Sequence, residues 1–173
     1  MPMQYMRALT SPERTDIGNR RLGRSLAFIA GAVNAGGFFA LGQYTSHMTG
    51  YLSQIPDHLV GGDLAIAGIA ALAIGAFVAG AGFSSLLINW LRWRSGRRHY
   101  AAAIAVQGVF LLCFASGGLF TSPLGRLRAL ACLCFIMGMQ NATITKISHA
   151  RVRTTHATGM ITDIGIELGR ALC

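Results

Sequence analysis

The sequence predicts an all-α fold, a polytopic transmembrane helical bundle with four spans of a six-span inverted-repeat (3+3) architecture. Three observations predict it: long apolar runs without charge, basic clusters between these runs, and a polar motif that occurs twice. Of the 173 residues, 53% are hydrophobic and 12% are charged, whereas soluble domains carry about 25% charged residues. This composition excludes a disordered chain and a soluble globular domain.

Four uncharged runs are each close to the length of about 20 apolar residues that a helix needs to cross a bilayer. They predict spans at 25–44, 65–90, 100–119 and 127–146. The last span carries several polar residues, so we expect it to be surrounded by protein. Residues 1–24 are predicted to be a basic cytoplasmic tail. Residues 25–173 then form a transmembrane domain, in which 154–173 begin a further, truncated element.

The basic residues predict the orientation of the chain. With four crossings, the clusters before the first span, between the second and third, and after the fourth face one compartment. The positive-inside rule makes this compartment the cytoplasm. We therefore expect a multi-pass protein of the cell inner membrane with a cytoplasmic N-terminus; Arg126 and Arg128 are exceptions on the other side. The net charge of +9 is an orientation signal, so the expected partner is the lipid bilayer and no nucleic acid.

A polar motif, G-x-x-N-A followed by [ST]-H-x-T-G, occurs twice in the chain. Its candidate substrate-binding residues are Asn34, His47, Thr49 and Gly50 in the first copy, and Asn141, His156, Thr158 and Gly159 in the second. The predicted topology runs the two copies in opposite directions, a recurring plan of secondary transporters. Only a short segment follows the second copy, which predicts a C-terminally truncated six-span protein.

The motif chemistry predicts a site for a small polar solute at the repeat interface. Each Thr-Gly pair is typical of a helix start after a break, with the threonine as its cap, and such helix ends favour anions or carbonyl groups. Asparagine both donates and accepts, and histidine titrates near neutral pH. The alternative is that these residues hydrogen-bond between helices and only stabilise packing. Asp163 and Glu167 are candidates for a proton relay or, alternatively, for an interfacial helix start.

Small residues along the second span predict close helix packing, either within the chain or in a homodimer. These residues are Gly68, Ala71, Gly75, Ala79 and Gly82. In the third span, the lone Gln107 predicts a hydrogen bond between helices.

The leading functional hypothesis is a small-solute transporter or channel, and the solute remains unknown. A structural or assembly protein is the first alternative, and a membrane-embedded enzyme is a weaker one. We do not expect an enzyme, because the sequence contains neither a nucleophile elbow nor an H-E-x-x-H motif. The four cysteines form neither a zinc pattern nor a disulfide framework, so neither a metal nor a cofactor is expected.

Several motifs resemble the YoaK-type family of bacterial membrane proteins, which contain the domain of unknown function 1275. They are AGAVNAGGF at 30–38, SHMTG at 46–50, GMQNA at 138–142, and RTTHATG through ELGR at 153–170. The resemblance spans about residues 22–173 and implies a six-helix integral membrane protein with no established reaction, which agrees with the predicted truncation. Tyr51 departs from the family pattern, in which Asn often follows Thr-Gly.

Overall fold

Five α-helices form the described part of the chain, which comprises residues 16–95, 99–116 and 122–148 of a computed structural model. The helices are α1 (Asp16–Leu41), α2 (Met48–Val60), α3 (Leu64–Ser95), α4 (His99–Ser116) and α5 (Pro123–Ile147). These ranges contain no strand, so the all-α prediction is confirmed.

Three of the helices are long and apolar enough to cross a membrane, judged by length and composition. They are α1 over Arg21–Leu41, α3 over Leu64–Arg94, and all of α5. The apolar part of α4, Tyr100–Ala115, is shorter. This length and composition are those of a membrane protein.

Local chemistry sets several helix ends. α1 ends at Leu41, because Gly42 takes a left-handed conformation (φ +71°) and its N–H bonds to the Phe38 carbonyl at 2.8 Å. α5 begins after Ser122, whose hydroxyl accepts from the Gly125 N–H at 3.0 Å. α1 begins at Asp16, inside the segment predicted as a tail, since arginine and leucine favour a helix whether or not lipid surrounds them.

Three layers of packing give the relative directions of the helices. The start of α1 packs against the end of α5, through Leu22, Leu26, Ile144 and Ile147. Midway along both helices, Ala30 packs with Ile136 and Met137. At the opposite end, the start of α3 meets the first half of α5, through Ala70, Ala73, Leu130 and Cys134. α1 is therefore antiparallel to α5, and α3 runs in the same direction as α5.

The central helix of the bundle is α5. It contacts α1, α3 and α4, and its contact with α3 is the most extensive in the described structure. In its apolar window 61% of residues are buried, against 17% in α1 and 22% in α3. The expectation that the last span is surrounded by protein is confirmed. The outward faces of α1 and α3 carry large apolar side chains, among them Phe28, Phe39 and Leu86.

Two glycines allow α3 and α5 to cross with their backbones in contact. A Cβ added to Gly80 would overlap the carbonyl of Phe135, and one added to Gly138 would overlap the carbonyl of Phe77. The predicted packing glycines of the second span behave differently, because a Cβ at Gly68, Gly75 or Gly82 would meet nothing within 4 Å. Within the described chain, that stripe faces outward and Gly80 makes the close contact instead. Small residues occur on every face of α3 itself, so their spacing in the sequence did not identify the face that contacts α5.

Candidate functional site

A break in the helical chain separates α1 from α2, and Asn34 holds it in place. The Asn34 Oδ1 accepts hydrogen bonds from the backbone N–H of Thr45 at 2.8 Å and of Ser46 at 3.0 Å, with the Thr45 hydroxyl at 3.4 Å. Thr45 is completely buried, and its methyl group packs so closely on Gly37 that no Cβ would fit there. The connecting segment therefore folds back along α1 instead of leaving the bundle.

This fold-back places the start of α2 inside the length of the bundle. Asn34 lies before Leu41 by roughly two helical turns, which at 1.5 Å per residue is about 10 Å along the axis. From that level α2 runs back toward the end of the bundle where α3 begins. With 13 residues, α2 is too short to cross a bilayer alone.

The first turn of α2 lacks a side-chain cap. Its N-cap residue is His47, which makes no capping hydrogen bond, and the first turn closes through Gly50 N–H to the His47 carbonyl at 3.1 Å. The predicted helix start after a break is observed, but Thr49 lies inside the first turn and is not its cap. The exposed His47 ring lies directly against Gly50, where an added Cβ would overlap it. His47, Thr49 and Gly50 are thus brought together at one helix end.

Tyr51 fastens this turn to the bundle. Its hydroxyl donates to the Tyr44 carbonyl at 2.6 Å, and its ring packs with Ala70, Ala73 and Cys134. The hydroxyl fixes α2 to the segment before it, and the ring fixes it to α3 and α5.

The second copy of the motif is described only in its first half, on α5. There the Gln140 amide donates to the Leu26 carbonyl and accepts from Gln107 Nε2 at 2.7 Å. The interhelical hydrogen bond predicted for Gln107 is confirmed. Gln107 is only 3% exposed, and its buried Oε1 has no hydrogen-bond partner among the described residues.

The two motif copies occupy different surroundings in the described structure. Gly138 packs on the α3 backbone, whereas its counterpart Gly31 has open space around it. Asn141 follows Gln140, which is level with Leu26, so it lies about 12 Å along the axis from Asn34. The two asparagines are not brought together. The remaining predicted site residues lie outside the described residues: His156, Thr158, Gly159, Asp163 and Glu167.

Sequence reasoning missed a row of polar contacts that α5 makes with α3. Thr143 donates to its own helix at the Met139 carbonyl, so the Ser84 hydroxyl is the donor in its 2.8 Å bond to Thr143. One turn further, Lys146 Nζ lies 3.2 Å from the Ser85 carbonyl. The signal was present in the sequence, because Thr143 and Lys146 lie three positions apart and therefore share a face of the helix.

We expect Asn34→Ala to loosen the segment 42–47. The substitution removes the acceptor of two part-buried N–H groups, which costs about 1–3 kcal/mol, so the amides of Thr45 and Ser46 should exchange hydrogen at least about fivefold faster. Hydrogen–deuterium exchange read by mass spectrometry measures this rate. Gln54→Ala, in the adjoining α2, is the control and should leave the exchange of the segment unchanged. Equal exchange in wild type and Asn34→Ala would show that Asn34 does not hold the break.

Comparison with known proteins gives one match. A family profile described as "Protein of unknown function (DUF1275)" matches residues 22–173. It covers α2 to α5 completely and nearly all of the apolar part of α1. No curated protein and no solved structure matches the chain.

Proposed function

Because this chain belongs to the DUF1275 family of proteins of unknown function, we propose its activity from its own chemistry: transport of a small polar solute across a membrane. In this proposal the chain is a multi-pass protein of the inner membrane, in which α1, α3, α4 and α5 are the four spans. The solute binds at the break between α1 and α2, and the second motif copy supplies the opposing part of the site.

The distribution of charge supports the proposed orientation. We call the end of the bundle that holds the start of α1 and the ends of α3 and α5 the basic end. It carries Arg21, Arg24, Arg92, Arg94 and Lys146. The opposite end, which we call the far end, carries Asp57 and Asp63 together with Arg126 and Arg128. By the positive-inside rule the basic end faces the cytoplasm.

One observation carries the proposal of transport: the uncapped start of α2 lies about 10 Å inside the bundle. At membrane depth, irregular backbone is tolerated only where protein buries it or where it lines a wet cavity. Transporters use the N-termini of such discontinuous helices to bind anionic groups of their substrates. Here the exposed His47 lies at the same helix end, and its imidazole adds a donor or an acceptor. A solute with a carboxylate or a carbonyl group fits this combination.

A specific observation favours a second candidate, a structural or assembly protein. The Asn34 Oδ1 is already used by the Thr45 and Ser46 amides of its own chain. For this residue a packing role accounts for the observed contacts without a ligand. The two candidates differ in whether an intact, folded protein makes vesicles permeable.

Transport is tested by osmotic swelling of proteoliposomes that contain the full chain. Stopped-flow light scattering measures the swelling rate after mixing with urea, acetamide or glycine as probes, each of which carries a carbonyl or carboxylate group. We expect at least one probe to enter faster than into protein-free vesicles. We expect His47→Ala to lower the protein-dependent rate about tenfold, because it removes a hydrogen bond that the solute makes in a poorly solvated site.

His58→Ala is the matched control, since His58 lies at the other end of the same short helix. It should keep the rate of the wild type. If the protein is folded and all three probes enter no faster than into empty vesicles, the result favours the structural candidate. An equal loss in both histidine variants would contradict a specific role of His47.

A further inference from the structure

A fixed lysine at the basic end lies between α3 and α5. Lys146, in the last turn of α5, is half-buried, and its Nζ lies 3.2 Å from the Ser85 carbonyl and 3.3 Å from the Asn89 Oδ1. Both acceptors are neutral, so they orient the ammonium group without compensating its charge. An ammonium has three N–H donors, and these two contacts leave the third for another acceptor.

A second cation lies beside this lysine. Arg92 follows Asn89 by three positions on α3, so the two side chains share a helix face. Its charge acts on Lys146 as a like charge. Among the described side chains the acidic residues are Asp57 and Asp63, and both lie at the far end. Asp16 begins α1 at the same end, but no described side chain offers a carboxylate to this pair, and an anion from outside would relieve the repulsion.

Two exposed indoles border the same position. Trp93 is 95% exposed and Trp90 is 56% exposed, and both lie in the last turns of α3. The guanidinium of Arg94 is 5.4 Å from the centre of the Trp90 ring. Exposed tryptophan beside clustered arginine is typical of the level where a bilayer changes from acyl chains to headgroups. The neighbouring surface therefore fits a lipid better than a soluble anion.

We propose that Lys146 and Arg92 bind the phosphate of an anionic phospholipid headgroup, with Trp93 against the adjoining glycerol and acyl region. Phosphate oxygens accept charge-assisted hydrogen bonds from both arginine and lysine. Basic pockets between helices on the cytoplasmic side are a known type of site for anionic headgroups. The site uses none of the residues of the break between α1 and α2, which lies toward the other end of the bundle.

The two tryptophans provide a direct measurement, because Trp90 and Trp93 are the only two in the chain. The full protein is placed in phosphatidylcholine vesicles, and a bromine-labelled phosphatidylglycerol or a bromine-labelled phosphatidylcholine is titrated in. Bromine on the acyl chain quenches indoles that it contacts, so the quenching curves give relative binding constants. Two cations at the surface favour the anionic lipid by about tenfold or more, and we expect this preference at low salt.

Variants that remove charge test whether the preference for the anionic lipid comes from Arg92 and Lys146. We expect Arg92→Gln with Lys146→Gln to reduce it to about twofold or less, with the binding of labelled phosphatidylcholine unchanged. The matched control, Arg126→Gln with Arg128→Gln, removes the same charge at the far end and should keep the full preference. A second pair, Arg92→Lys with Lys146→Arg, keeps both charges and should also retain it, which separates loss of charge from misfolding.

Three results would overturn the proposal. One is equal quenching by both labelled lipids in the wild-type protein. Another is an equal loss of preference in the far-end control, which would reflect overall charge rather than a site. The third is removal of the preference by millimolar inorganic phosphate at constant ionic strength, which would identify a soluble anion as the occupant.

Discussion

Gly138→Ala is expected to destabilise the bundle by about 3 kcal/mol or more, at the upper end of the usual cost of overpacking. The added Cβ would overlap the Phe77 carbonyl, and the adjoining Ala81 N is also close. These are backbone atoms of α3, so relief requires a shift of the whole helix crossing and not a change of rotamer. The free energy of unfolding in mixed dodecylmaltoside and SDS micelles measures the effect. Gly80→Ala should show a similar loss, because it meets the Phe135 carbonyl in the same way.

Matched glycines give the control for this prediction. Gly75→Ala on α3 and Gly31→Ala on α1 add the same methyl group where nothing lies within 4 Å. Alanine favours a helix over glycine by about 1 kcal/mol, so these variants should be neutral or slightly more stable than wild type. If Gly138→Ala and Gly75→Ala unfold alike, the close crossing of α3 and α5 does not exist in the folded protein.

Gln140→Leu is expected to cost about 1–2 kcal/mol in the same unfolding measurement, the range found for polar contacts between membrane helices. Gln140 links three helices, since it donates to Leu26 of α1 and accepts from Gln107 of α4. Its removal leaves the Gln107 amide without its partner, and the Oε1 of that amide already has none among the described residues.

A double-mutant cycle separates this polar contact from simple packing. Gln107→Leu together with Gln140→Leu removes both partners, and a buried apolar pair leaves no unsatisfied group. We therefore expect the double variant to be less destabilised than the sum of the two single variants, by about 1 kcal/mol. Strict additivity would show that the two amides do not interact. Gln54→Leu, in α2, controls for the exchange of an amide for an apolar side chain outside this contact.

Much of the fold could be predicted from the sequence, because it depends on local properties. Long apolar runs give the helices, and their approximate bounds agree with α3, α4 and α5. The break before α2 was also predictable, since Gly42 permits a left-handed turn and the chain is polar from Gln43 to His47. Even the central place of α5 followed from its polar content. These features depend only on the helix propensity and the hydropathy of residues that are close together in the sequence.

The depth of the break and the contact faces were decided by the tertiary structure. Thr45 and Ser46 fold back to Asn34, and no local pattern specifies that the asparagine oxygen binds them rather than a ligand. Whether the two motif copies form one site stays a prediction, since much of the second copy lies outside the described residues.

The sequence by itself determined that this chain is helical, apolar enough for a membrane and basic at one end. Only the tertiary structure decided that Gly80 and Gly138, rather than Gly68 and Gly75, lie between the helices. The physical reason is that lipid is as apolar as a packed helix face. Hydropathy therefore cannot distinguish the two sides of a span, and the choice rests on the fit between helices that are distant in the chain.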